Sequence, residues 1–186
     1  MKVIARFFLR AEHWQIFLIV VGIFVGGQIA IALCISPPLH SHGILTKEGF
    51  LVGFAIALAM AGFLAWAWSM GSFFNSITNP ELRLRTWFFR FAVIYPPVYL
   101  VFFLGSFIGN ESRLGDLIIP LHLLCMICLF YLLYFVSKSL VLAETDKPAS
   151  FYDYAGPFFL LWIFPVGIWY VQPRVNRLYA ERKNSE

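Results

Sequence analysis

Four stretches of this chain stay apolar for long enough to cross a bilayer, and that limits its fold to very few kinds. Residues 14–35, 50–70 and 117–136 contain no Asp, Glu, Lys or Arg, and residues 87–108 contain only Arg90. Each reaches the roughly 20 residues that a helix needs to cross a hydrocarbon core of about 30 Å. Lipid offers no partner to a free backbone N–H or C=O, so helix is the state these stretches must take. Arg90 lies near one end of its segment, where its aliphatic stem lets the guanidinium snorkel to the headgroups. Of the 186 residues, 60% are hydrophobic and 13% charged, which excludes the ordinary soluble globular class.

Lys2, Arg6 and Arg10 lead into the first stretch as they would into a signal peptide. The apolar run is about twice the usual length for one, and no A-x-A cleavage pattern follows. Leu33 before Cys34 also departs from a lipoprotein box, so the segment reads as an uncleaved anchor. Cys34, Cys125 and Cys128 all lie in apolar stretches, which argues against a disulfide-stapled extracellular domain.

Orientation follows from the basic residues. Four crossings with the N-terminus in the cytoplasm place Lys2, Arg6, Arg10, Arg83, Arg85, Arg90, Lys138 and Lys147 inside, and Lys47 and Arg113 outside. Arg174, Arg177, Arg182 and Lys183 then decide the bias: 12 to 2 if the tail is inside, 8 to 6 if it is outside. A clear bias therefore requires residues 154–173 to enter the membrane and return. Pro165-Val166-Gly167 divides the apolar run, and the 15 residues 157–171 make about 22 Å of helix, short of the core. The expected fold is all-α: a single integral membrane domain of four spans with a C-terminal re-entrant or interfacial hairpin. The alternative is a fifth, kinked span over the same residues. Trp14, Trp66, Trp68 and Trp87 fall near the inner ends of spans, where an aromatic belt belongs. Residues 174–186 read as a short amphipathic helix on the cytoplasmic surface, with Val175, Leu178 and Tyr179 on its apolar side.

Helices in lipid associate by close backbone approach, because burial from water supplies no force there. Gly49, Gly53, Ala57, Ala61 and Ala65 place a small residue at every fourth position of the second span, and Gly22, Gly26, Ala30 and Cys34 do so in the first. These series predict that spans one and two cross on them; the other use is a homo-oligomer contact. Pro96-Pro97 predicts a kink in the third span.

Few residues carry chemistry. Cys125 and Cys128 share a helix face and could cycle between dithiol and disulfide, as in four-helix thiol–quinone oxidoreductases, although no loop pair of cysteines stands by to relay electrons. His40, His42 and His122 could approach a metal, but no acidic or cysteine ligand is placed to complete the site. Asp153 before the hairpin faces Arg174 and Arg177 after it, as a structural clasp or a ligand site. No Asp or Glu sits mid-span, which leaves a coupled pump without its usual relay. No cofactor is specified.

The stretch Phe151-Tyr-Asp-Tyr-Ala-Gly-Pro-Phe-Phe-Leu-Leu-Trp-Ile-Phe-Pro-Val-Gly-Ile-Trp-Tyr-Val-Gln-Pro-Arg-Val-Asn-Arg-Leu178 resembles the C-terminus of small uncharacterised bacterial polytopic membrane proteins. The opening Phe8-Leu-Arg-Ala-Glu-His-Trp-Gln15 fits the same resemblance. It implies a bacterial inner membrane and brings no activity, substrate or cofactor. The sequence thus favours a non-catalytic accessory or scaffold protein that contacts membrane proteins, anionic lipid headgroups at the cytoplasmic face, or its own copies. The basic balance points to lipid before nucleic acid. The rival classes are the thiol–quinone enzyme and a small-solute transporter gated by the hairpin.

Overall fold

The computed structural model describes the backbone of residues 2–34, 47–106 and 115–184, and the side chains of 3–29, 53–104 and 116–184. Its elements are α1 (Lys2–Arg10), α2 (His13–Phe17), a π-helical turn at Leu18–Gly22, α3 (Ile23–Cys34), α4 (Lys47–Ile77), α5 (Trp87–Ser106), α6 (Gly115–Thr145), α7 (Phe151–Trp162) and α8 (Phe164–Asn184). The described residues contain no strand. Three helices are long and apolar enough to cross a membrane: Gly53–Ile77, Trp87–Leu104 and Asp116–Thr145. The bent pair Val3–Arg10 and His13–Ile29 makes a fourth if it counts as one unit.

That bend is the first departure from expectation. The basic lead-in is a helix of its own, set at 118° to the helix that follows. Glu12 makes the corner. Its amide donates to Gln15 Oε1 at 2.9 Å, and its carboxylate takes up the Gln15 amide, a reciprocal cap that starts α2. Phe8 and Leu9 turn inward, while Val3, Ile4 and Phe7 stay exposed. An amphipathic helix with an unpartnered apolar face suits the plane of a lipid–water interface.

Ring contacts fix the directions of the other helices. Phe89 stacks on Phe135 and Tyr99 bonds His122, so α5 and α6 run antiparallel. Phe130 meets Phe158 and Tyr134 meets Tyr154, so α7 returns along α6. Phe63 meets Phe164 and Phe73 meets Tyr179, so α8 turns again and runs parallel to α4. Pro96 and Pro97 lie within α5, and Tyr95 and Tyr99 on either side of them reach across to α6.

The spans run further than the apolar stretches. The second was expected to end near residue 70 and the fourth near 136, yet α4 continues to Ile77 and α6 to Thr145. Hydropathy marks where lipid ends, whereas a helix continues as long as something packs against it. The extensions carry Phe74 and Leu140 into a shared core with Phe8, Val171 and Val175. Every basic residue with a described side chain lies toward this end, called here the basic end.

Residues 154–173 form a helical reversal, with its breaks in different places from those expected. Ile163 interrupts the helices, Pro165 falls in the first turn of α8 where a missing donor costs nothing, and Pro173 is carried inside α8. Gly167 amide donates to Ile163 O at 2.9 Å. A Cβ on Gly167 would lie 1.7 Å from Leu160 O, so only glycine lets the second helix fold back over the first. The tip packs against Phe63, ten positions after Gly53, the far end of the apolar segment of α4.

Candidate functional site

Two polar clusters tie this reversal to the bundle. The deeper one surrounds Gln172, whose side chain has no exposure. Breaking the chain after Arg10 strands carbonyls at the C-terminal end of α1. Gln172 Nε2 donates to two of them, Phe8 O at 2.9 Å and Ala11 O at 2.8 Å. Its Oε1 accepts from Trp66 Nε1 at 2.8 Å. Asn176, one turn on, has its Oδ1 3.0 Å from Gln172 Nε2, sharing the two N–H groups with those carbonyls, and donates to Ala11 O at 3.2 Å. One amide thereby joins α1, α4 and α8. Trp66 is accordingly a core residue, in place of the belt position expected, while Trp14 and Trp87 remain exposed.

The second cluster closes the reversal. Arg174 donates through Nε and Nη2 to the Glu144 carboxylate, and Arg177 Nη2 adds a contact at 3.3 Å. Arg174 and Arg177 thus meet an acid as expected, but the acid is Glu144 at the end of α6. Asp153 is engaged elsewhere: Ser150 donates to its carboxylate by hydroxyl and by amide, each at 2.7 Å. Those two bonds, the hydroxyl first, hold the Asp153 carboxyl below the usual carboxylate range. It caps α7 instead of clasping the hairpin.

The tail expected to float at the interface is the continuation of α8. Val175 and Leu178 are buried in the bundle, and Arg10 lies 5.6 Å over the Tyr179 ring. The exposed apolar face at this end belongs to α1 instead, through Val3, Ile4 and Phe7.

The small-residue series are displaced by a face. Ala61 is exposed, Ala57 is half-exposed, and Gly53 faces Leu104 of α5. α4 meets α3 through Gly27, where an added Cβ would lie 2.9 Å from Ala55 Cβ, and meets the π-helical turn before α3 through Gly62, where it would lie 3.0 Å from Ile19. Gly26 has nothing within 4 Å, and Gly22 meets only Leu18 of its own segment. A strict four-residue repeat advances roughly 40° around the helix per step, so it cannot track one neighbour for long. Gly49, Ala30 and Cys34 lie outside the residues with described side chains.

Cys125 and Cys128 are buried free thiols on α6. Nearby, Tyr99 Oη and His122 Nδ1 lie 3.0 Å apart, and Tyr95 donates to Leu121 O at 3.1 Å. Among the described residues, no group of three His, Cys, Asp or Glu side chains could hold a metal. His40 and His42 lie outside the described residues. Gln28, in α3, has a buried side-chain nitrogen with no hydrogen-bond partner among the described residues.

Glu144, Gln172, Asn176 and Trp66 are the site residues that sequence reasoning passed over. One signal was available: Gln172 is an amide inside an otherwise apolar run, and such a group demands a partner. The chain matches no protein-family profile, no curated protein and no solved structure.

Proposed function

We propose that this chain is a non-catalytic accessory or scaffold protein of a bacterial inner membrane. In this reading the N-terminus is cytoplasmic, four helices cross the bilayer, and α7–α8 form a re-entrant hairpin. The resemblance of residues 151–178 to bacterial membrane proteins supplies the compartment. The observation that carries the rest is the hairpin itself. Both its ends sit by Glu144 at the basic end, its tip stops beside Phe63, and its outer face leaves Phe159, Trp162, Val166, Trp169 and Tyr170 exposed. Aromatic area on that scale needs lipid or another membrane protein against it.

The transporter reading finds less support. A cavity of about 190 Å³ beside the hairpin is lined by aromatic and aliphatic side chains, among them Phe63, Met126, Leu133 and Trp162, which offer a solute no polar path. A topology reporter fused at Glu186 should report the cytoplasmic side; the opposite side would defeat the hairpin. Co-purification in mild detergent should recover a stoichiometric membrane partner or a second copy, and neither would remove the scaffold role. Replacing Cys125 and Cys128 with Ser should leave function intact; a lost redox-dependent phenotype would favour the enzyme.

A further inference from the structure

The connection between α4 and α5 encloses a recess of about 400 Å³ at the basic end. Trp68 and Phe89 form its apolar base, stacked with ring planes 4° apart. Its polar lining is Ser72, Asn75 and Ser76 of α4, Arg83 and Thr86 of the connection, and Arg90 of α5. Part of this lining is committed to holding the walls. Asn75 bonds both backbone groups of Leu84, at 3.1 and 2.8 Å. Ser76 donates its hydroxyl to Phe73 O. Arg83 donates Nε to Thr78 O at 3.0 Å and Nη2 to Ser76 O at 2.9 Å, which caps α4 and fixes the guanidinium in place.

The remainder is uncommitted among the described residues: Arg83 Nη1, the Ser72 and Thr86 hydroxyls, and the whole Arg90 guanidinium. No carboxylate is among the described residues that line the recess. The first turn of α5 has no acidic residue, so its positive end adds to the two guanidiniums. Paired guanidiniums beside hydroxyls match the oxygens of a phosphate ester. From Arg90 an exposed apolar strip continues along α5 through Ile94, Val98 and Val101, which are 63%, 60% and 73% exposed. A headgroup in the recess would lay its acyl chains on that strip.

We propose that this recess binds the phosphate of an anionic phospholipid, with its chains along the Ile94–Val101 strip. The inference rests on the reading of α5 as a membrane crossing. The test uses the full chain in neutral detergent, probed by native mass spectrometry with short-chain phosphatidylglycerol, phosphatidylcholine and inorganic phosphate. Phosphatidylglycerol should be retained in preference to phosphatidylcholine. Arg90→Gln should weaken that retention roughly tenfold, the scale of one charged hydrogen bond, while Lys147→Gln leaves it unchanged. Equal retention of the two lipids, or equal effects of the two variants, overturns the proposal. Inorganic phosphate that binds as well as the lipid reassigns the site to soluble phosphate and overturns the lipid. Because Arg90 has no partner among the described residues, its variant should melt with the parent protein in lipid-free detergent; a lower melting point would overturn the uncommitted role given to it. An alkaline wash separates the two levels. A chain released by it defeats the membrane reading, whereas a retained chain without lipid preference defeats only the site.

Discussion

α4 is gripped on two sides in two different ways. Against α3 and the π-helical turn before it the contact is one of shape alone: Gly27 meets Ala55, Gly62 meets Ile19, and the backbones approach closely. Against α8 the contact is chemical, with Trp66 bonded to Gln172 and edge-on aromatic pairs at Phe164 and Tyr179. The first kind of contact is what a lipid-embedded pair must rely on, since neither helix gains by leaving hydrocarbon. The second joins a helix to a neighbour whose own backbone is broken, and the stranded carbonyls of α1 determine where Gln172 must sit. Close approach sets how near two helices lie, and a hydrogen-bonded amide sets which residues lie opposite each other.

Substitutions on each side should separate the two. Gly167→Ala has the largest expected effect, because its Cβ would collide with the backbone of Leu160 and α8 could no longer reach α4. A loss of about 3 kcal/mol or more, or failure to assemble, should appear in thermal unfolding in detergent. Gln172→Leu keeps the volume but leaves the Trp66 N–H and the Phe8 carbonyl buried without partners, while Asn176 still reaches Ala11. It should cost about 2–4 kcal/mol by the same measurement. If it costs no more than a surface change, the contact is shape alone there too. Gly27→Ala should cost about 1–2 kcal/mol by pushing α3 from α4. Gly26→Ala, with open space around it, should stay within about 0.5 kcal/mol. Equal effects would mean that α3 does not meet α4 through Gly27.

Asp153→Asn is the mildest change and belongs to the entry of the hairpin. Its bonds to Ser150 lower the folded-state pKa, so the stabilisation is complete above the usual carboxylate range and is lost as pH falls through the folded value. Melting temperature should therefore decline on acidification, and the Asn variant should flatten that part of the curve.

The long apolar helices and the reversal before residue 174 were legible because charge-free length and the distribution of Lys and Arg are one-dimensional properties. The face on which a residue falls is not. Glycine periodicity indicated a close α3–α4 contact but chose Gly26 over Gly27, one residue and roughly 100° away. Pro165 looked like the breaker and proved to begin a helix, while Ile163 takes the irregular conformation. The corner at Glu12 had a readable sign, Glu and Gln three apart, hidden beneath the stronger lipid signal that follows. Glu144 lay beyond the hydropathic end of its span, so only the longer α6 brings it to Arg174.

Gln172 has a consequence for synthesis. Its bonds to Phe8 and Ala11 link residues 164 and 161 positions apart, nearly the full length of the chain. A ribosome delivers α1 long before Gln172. Until then the frayed carbonyls of that corner must be satisfied by water, so the nascent corner stays wet. α8 therefore closes α1, and a chain that stalls before Gln172 leaves the corner after Arg10 hydrated.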